Sequence, residues 1–360
     1  MNFAFRVDAS STIGTGHFMR CLTLALELKK MSANIRFITR HLPSYLVSIL
    51  KVNAIEHIRL ESKITGYFGD LKHSSWLGVS QEKDANMTIQ SLSDMQWDWI
   101  VVDHYALDIR WESTLNEVCT RLMVIDDLAD RQHECDLLLD QNLGRIATDY
   151  SGLVSSNCIV LAGPRFALLR PEFAEFREYS LHRRTTSKID SLLITMGGID
   201  QDDATGKILE ALKDCPLSND CEIIVLMGAD APWLSRVKLL GTEMPWPTKV
   251  KVNVQNMAEL MANSDLAIGA AGSTSWERCC LGLPTLIVVL AENQIKVADA
   301  LAQNGCAKVL GPPDAISKNL RPLLHMLTIE KLCQMTQSSS AITDGQGVDR
   351  IRHILLENHV

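Results

Sequence analysis

Short apolar runs of strand length alternate with longer stretches of helical spacing twice along the 360-residue chain. In the first half the pattern predicts strands at 3–8, 34–39, 55–60, 99–103, 122–126 and 158–162, with helices between them, notably 16–31 and 108–120. In the second half it predicts strands at 191–196, 222–227, 249–253, 265–269, 284–289 and 307–310, again separated by helical segments. Buried strands of 4–8 residues alternating with helices are the signature of parallel sheets wound on both faces. The expected fold is therefore α/β, with two Rossmann-like doubly wound domains: residues 1–170, carrying a histidine loop, and residues 188–345. The charged segment 171–187 is expected as a linker, and 346–360 as a C-terminal helix packing back across the domains. A ligand is expected in a cleft between the domains, at the carboxyl ends of the strands.

Composition narrows the partner. With 35 basic and 43 acidic residues the net charge is −8, which supplies no general attraction to nucleic acid or an anionic membrane and favours a small molecule. Ten cysteines lack a C-x-x-C pair or zinc-ligand spacing and read as small core residues of a reducing compartment. The first six residues lead straight into a strand pattern with no signal peptide, and no apolar run approaches 18 residues, so a cytoplasmic protein without membrane insertion is expected.

The chemistry concentrates at strand ends. After the apolar run Asp265-Leu266-Ala267-Ile268 come a glycine turn at Gly272 and a helix start at Ser273, Thr274 and Ser275, which are good N-cap residues. Free N–H groups and the positive dipole end of such a helix suit a pyrophosphate. Glu277, four residues after Ser273, is then within reach of a ribose diol. An ordinary βα turn with a capping serine is the favoured account of the glycine turn when it is taken alone.

The first strand ends in Arg6-Val7-Asp8 and runs through Gly14-Thr15-Gly16-His17. No third glycine follows at Arg20, which disfavours a dinucleotide cofactor. A histidine at a helix start sits where the positive dipole end favours the neutral ring, which suits a general base. Asp8 either orients that ring or simply terminates the strand. Asp103-His104-Tyr105, Asp126-Asp127 and Met196-Gly197-Gly198 close further strands, and Gly197 and Gly198 permit close approach of a ligand to the backbone. The adjacent aspartates 126 and 127 point to opposite sides of an extended chain, so capping or sugar contacts are favoured over metal ligation, and no metal or cofactor is expected. Asn256 and Met257 stand where backbone groups can read a pyrimidine, although a helix cap at Asn256 reads as well.

Together, Arg6-x-Asp8 with Gly14-x-Gly16-His17-x-x-Arg20, Asp103-His104-Tyr105, Ile125-Asp126-Asp127, Cys135-Asp136-Leu137-Leu138, the 166–173 segment, Met196-Gly197-Gly198, Gly272-Ser273-Thr274-Ser275-Trp276-Glu277 and Asn293-Gln294 carry a family resemblance. The chain resembles the UDP-2,4-diacetamido-2,4,6-trideoxy-β-L-altropyranose hydrolases of pseudaminic acid biosynthesis over nearly its whole length. The resemblance implies a GT-B-like fold, with UDP held mainly by the second domain. It also implies metal-independent hydrolysis of a UDP-sugar by inverting C–O cleavage, feeding nonulosonic acid synthesis for flagellin or cell-surface glycosylation. His17 is implied as the base that activates water at the anomeric carbon, with Gly14, Gly16 and Asp8 in its loop. Backbone N–H groups of Gly272, Ser273 and Thr274 take the charge growing on the β-phosphate, and Glu277 takes the ribose. Tyr105, Arg170, Asn293 and Gln294 are implied as sugar or phosphate contacts. Asp203 stands where the pattern has Asn, and still serves as a helix cap. The C-terminal half also looks like the UDP-GlcNAc transferase of peptidoglycan synthesis, so an inverting transferase and a non-catalytic nucleotide-sugar-binding protein stand as alternatives.

Overall fold

In a computed structural model of the protein, residues 1–61, 69–186 and 188–357 are described. The chain divides into two compact units, one formed by Met1–Leu168 with the chain from Val348, the other by Leu169–Gly347.

The first unit is built on a seven-stranded sheet in the order β3-β2-β1-β4-β5-β6-β7. The strands are β1 (Asn2–Val7), β2 (Asn34–Thr39), β3 (Glu56–Arg59), β4 (Trp97–Asp103), β5 (Cys119–Ile125), β6 (Leu137–Asp140) and β7 (Ile159–Ala162). Every pairing is parallel. Successive side chains leave a strand on opposite faces, so Phe3, Phe5 and Val7 join Trp99 and Val101 in one apolar layer while Ala4 joins Ile100 and Val102 in the other. Helix Gly16–Lys30 covers the first layer with Phe18, Cys21, Leu24 and Leu28. Helix Gly347–Glu357 completes that layer: Val348, Ile351 and Leu355 lie in it, and the Trp99 indole donates to the Leu355 carbonyl at 3.2 Å.

The second unit carries a six-stranded sheet in the order β10-β9-β8-β11-β12-β13. Its strands are β8 (Ser191–Thr195), β9 (Glu222–Met227), β10 (Thr248–Val252), β11 (Leu266–Ala270), β12 (Thr285–Val288) and β13 (Ala307–Gly311). These pairings are parallel too. In each sheet the winding direction reverses once, between β1 and β4 and between β8 and β11. Such switch points leave a crevice at the carboxyl ends of the strands.

Three segments depart from the sequence expectation. β6 was not anticipated, because Leu137-Leu138-Leu139 is a short run fully buried on both faces and shows no period. The helix expected over 108–120 is α-helical only at Ile109–Glu112, continues as 3-10 helix over Ser113–Glu117, and gives way to β5 at Cys119. The segment 171–187, expected as a linker, holds the helix Pro171–Arg183, which belongs to the second unit. Its Arg177 donates to the carbonyls of Cys280, Ser340 and Thr343, and Ser180 Oγ donates to Leu281 O at 2.7 Å. Among the described residues no helix is long and apolar enough to cross a membrane.

Candidate active site

The β1 switch loop is shaped by its own hydrogen bonds. Ser10 O accepts the Gly14 N–H at 2.9 Å, and Ser10 Oγ accepts the N–H groups of Thr12 and Ile13. Gly14 sits at φ +82, a conformation that a side chain would strain, and the chain then enters the helix at Gly16. His17 is thereby delivered to the end of β4, whose last residue Asp103 lies beside Val7 in the sheet register.

His17 Nδ1 lies 2.6 Å from Asp103 Oδ1. Arg20, one helical turn after His17, donates to both carboxylate oxygens of Asp103 at 2.6 and 2.7 Å. It reaches Asp127 Oδ2 at 2.7 Å with its remaining arm. The Tyr105 hydroxyl donates to the same Asp127 oxygen at 2.5 Å. Burial pushes the Asp103 carboxyl up, but the Arg20 charge and the hydrogen bonds from Arg20 and His17 outweigh it and hold the group below the usual carboxylate range. Burial and the neighbouring Asp127 push the Tyr105 phenol well above its usual range, so it stays neutral. An ionised Asp103 can only accept, so Nδ1 of His17 is the protonated nitrogen that faces it, and in the neutral tautomer the lone pair lies on Nε2. With Nδ1 protonated, Asp103 is the acceptor it faces, and the Arg20 Nη2 at 3.2 Å is a neighbouring donor and not its partner. The His17 side chain remains 12% exposed.

Asp8 does not orient His17. It is fully buried, paired with Arg6 at 2.9 Å and His104 at 3.2 Å, and it accepts the backbone N–H groups of Arg40 and His41. Burial raises its carboxyl, yet Arg6 and His104 more than reverse that and keep it ionised. The expectation that Asp8 serves the His17 loop as an orienting or substrate-binding residue is therefore corrected: Asp8 ties β1 to the chain leaving β2. Asp126 is occupied in the same way by Arg131, the Tyr150 hydroxyl and the N–H groups of Leu128 and Ala129. Only its neighbour Asp127 faces the histidine cluster.

In the second unit the register pairs Thr195 with Gly269, which sets the Gly197-Gly198 loop beside the Gly272 turn at the switch point. A Cβ added at Gly197, Gly198 or Gly272 meets nothing within 4 Å, so all three glycines border open space. Gly198 O approaches so near to Gly228 that a Cβ there would lie 2.1 Å from it. Asp200 and Asp203 cap the helix Ala204–Leu212, Asp200 by accepting from Ala204 and Thr205. Asp203 sits in the left-handed region at φ 53, accepts from Gly206 and pairs with Arg236, which accounts for an acid at that position.

The helix Thr274–Cys280 starts differently from its expectation: Ser273 has helical dihedrals and makes no side-chain cap. Ser275 N–H donates to Gly272 O at 2.9 Å and Trp276 N–H to Ser273 O at 3.1 Å. Among the described residues, the N–H groups of Gly272, Ser273 and Thr274 take no part in the bonds of this turn. Glu277 Oε2 is buried and has no hydrogen-bond partner. Burial pushes its carboxyl up to about 7, with Arg170 and Arg278 pulling the other way.

Arg170 pairs with Glu172 at 3.0 Å and donates to Gln255 O at 3.3 Å, which joins the 255–257 segment to the surroundings of Glu277. Asn256 is exposed and spends its amide on Glu259 Oε2 at 2.6 Å, so it is not the backbone cap of the helix Met257–Ala262. Met257 is half-buried. Gln294 accepts the Leu290 N–H at 3.0 Å and shapes its own loop, whereas Asn293 is exposed. Arg20 and Asp127 are working parts that the sequence placed only within motifs. The spacing of Arg20 three residues after His17, on one helix face, was the signal available. Trp76 and His73, beside His17 and Tyr105, had no signal beyond being rings in a loop.

Comparison with known proteins adds four findings. Residues 191–347 match the glycosyltransferase family 28 C-terminal domain. The chain is 26% identical over 303 residues to an uncharacterised protein of Methanocaldococcus jannaschii, covering 82% of this chain but only 57% of that one. It is 25% identical over 306 residues to the UDP-2,4-diacetamido-2,4,6-trideoxy-beta-L-altropyranose hydrolase of Campylobacter jejuni, covering 85% and 97% of the two chains. Among solved structures, MurG of Acinetobacter baumannii superimposes with a TM-score of 0.71 at 14% identity, over 99% of each chain. The two wound parallel sheets thus form an α/β, GT-B-like fold.

Proposed function

We propose that this protein acts on a UDP-linked sugar and hydrolyses it to UDP and the free sugar, with a 2,4-diacetamido-2,4,6-trideoxy sugar as substrate. The observation that carries the reading is the His17–Asp103 pair, which engages Nδ1 and leaves Nε2 to act as the base. The named activity of the Campylobacter jejuni relative and the family 28 match of residues 191–347 support a nucleotide-sugar substrate.

In this reading the second unit holds UDP. Glu277 Oε2 accepts from the ribose hydroxyls, and the N–H groups of Gly272, Ser273 and Thr274 bind the β-phosphate. Nε2 of His17 takes a proton from water as its oxygen attacks the anomeric carbon, and the C1–O bond to the β-phosphate breaks with the electron pair leaving on UDP. Charge grows on the phosphate in the transition state, where preorganised N–H donors stabilise it most. Asp103 and Arg20 fix the ring, so that the proton is accepted without reorganisation. UDP leaves without needing a protonated acid.

An inverting transferase is the second reading, favoured by the family 28 match. Purified protein incubated with UDP-diacetamido-trideoxy sugars in ¹⁸O water, without any acceptor, separates the two. Hydrolysis yields UDP and free sugar with ¹⁸O at the anomeric carbon, observed by NMR and mass spectrometry. UDP release that appears only on adding an alcohol acceptor sinks the hydrolase reading.

A further inference from the structure

The polar side chains beneath His17 are already spent on one another. Asp103 is held by His17 and Arg20, and Asp127 by Arg20 and the Tyr105 hydroxyl. What borders the His17 ring beyond them is aromatic. The Tyr105 ring stands edge-on to His17 with centroids 4.6 Å apart and an interplanar angle of 87°. Trp76 stacks on Tyr105 at 5.7 Å and 26°, and lies 6.3 Å from His17. His73 closes the cluster, 4.4 Å from Trp76 and 5.5 Å from Tyr105. Burial, aided by Lys72, pushes the His73 imidazole below its usual range, so this ring too is uncharged at neutral pH. Trp76 and His73 are half-buried, whereas Tyr105 is buried and fixed by its hydroxyl.

A pyranose carries hydroxyl groups that need partners and C–H surfaces that do not. Ring faces and edges offer dispersion and apolar contact but few hydrogen bonds. A hydroxyl pressed against a ring face loses water and gains no hydrogen bond there in return. We propose that Trp76, backed by His73 and Tyr105, is a specificity-determining wall that packs against the methyl-bearing edge of a deoxy sugar and discriminates against the corresponding hydroxymethyl sugar. The proposal rests on the UDP-sugar reading above, and names which edge of the sugar is read and by which residue. Trp76 takes no part in the proton transfer: it positions the sugar relative to His17 and selects it.

The test compares two UDP-sugars that carry the same acetamido groups and differ only as 6-deoxy and 6-hydroxy. Wild-type protein is expected to prefer the 6-deoxy compound by about 10- to 100-fold in kcat/KM, the usual range for discrimination by an apolar pocket. W76A is expected to lose most of that preference through a higher KM for the deoxy sugar, with UDP affinity by calorimetry unchanged, and W76F to retain most of it. A preference that survives intact in W76A overturns the proposal, as does a loss of UDP affinity in that variant. If wild-type protein hydrolyses neither compound, the hydrolase reading fails separately. Calorimetric affinities of the same two UDP-sugars for wild type and W76A then decide the wall on their own: loss of the preference in the variant supports it, and an unchanged preference overturns it.

Discussion

The two switch points of this molecule are finished to different degrees. At the first, between β1 and β4, His17, Arg20, Asp103, Asp127 and Tyr105 satisfy one another in a closed network. At the second, between β8 and β11, the Glu277 carboxylate oxygen is buried without a partner and the turn at 272–274 keeps unspent donors. A closed network fixes geometry, which a base needs before substrate arrives. An open one costs stability until a ligand completes it, which suits a binding site. In the proposed reading, the same sheet topology thus supports a preorganised centre in one unit and a ligand-completed centre in the other.

The largest expected effects test the first centre. His17→Asn should lower turnover by about 10² to 10⁴ while UDP affinity stays nearly constant. The rate of UDP release together with calorimetry reads both, and a variant keeping more than roughly a tenth of wild-type turnover excludes His17 as the base. Asp103→Asn places an amide against Nδ1 and removes the charge that fixes the tautomer, so turnover should fall by at least about 10². Asp8→Asn should instead act on folding: it breaks a buried pair with Arg6, a change that costs about 3 to 5 kcal/mol. A thermal melt showing Asp8→Asn harmless would undo the division of labour between the two aspartates.

Smaller effects probe the open centre. Glu277→Ala should weaken UDP binding by roughly 10- to 150-fold, the equivalent of losing a hydrogen bond to a charged group. Unlike Asp8→Asn, it should not lower the melting temperature of the free protein, because it removes a carboxylate that burial disfavours. The pH dependence follows in sign. Since the folded state raises the Glu277 carboxyl from 4.5 to about 7, ionisation works against folding. That penalty is absent below the ordinary carboxylate range, grows as pH rises, and is complete above about 7. Glu277→Gln should therefore be more stable than wild type under mildly alkaline conditions and equal to it in acid. UDP affinity should rise through neutral pH in wild type and stay flat in the glutamine variant. The smallest expected effect is that of a chelator: activity should survive excess EDTA. Asp126 and Asp127 are spent on Arg131, Tyr150, Arg20 and Tyr105, and in the proposed reading the helix-start N–H groups take the electrostatic role near phosphate. Loss of activity in EDTA with recovery in Mg²⁺ would contradict that assignment.

Periodicity carried most of the strand architecture, because buried parallel strands are apolar runs bounded by turns; β2 and β9 fall within their expected limits, Asn34–Thr39 and Glu222–Met227. It failed where a residue's environment lay far away along the chain. The charges of 171–187 suggest solvent, yet Arg177 and Arg184 are satisfied by carbonyls about 80 to 165 residues onward, which no local pattern reveals. Pro171 at the first helical position, Glu172 in the first turn and His182 with Arg183 in the last were capping signals that the composition obscured. In the site, the position of His17 in a glycine loop was legible, but its orienting acid was not. Asp8 is nine residues away in sequence and Asp103 is 86, and only the β1–β4 pairing decides between them. Trp76 was not legible at all, since an aromatic in a polar loop acquires meaning only from the rings it meets.

The helix Gly347–Glu357 places a constraint on the order of events during synthesis. Val348, Ile351 and Leu355 belong to the same apolar layer as Phe3 and Phe5. A ribosome delivers them only after every residue of the second unit. Of the two units, the one whose sheet is made earlier is consequently completed later: Leu169–Gly347 can close its core while the first sheet still waits for this covering helix. The histidine cluster becomes fully supported only once this helix has been made, so the unit that holds Glu277 is able to mature before the unit that holds His17.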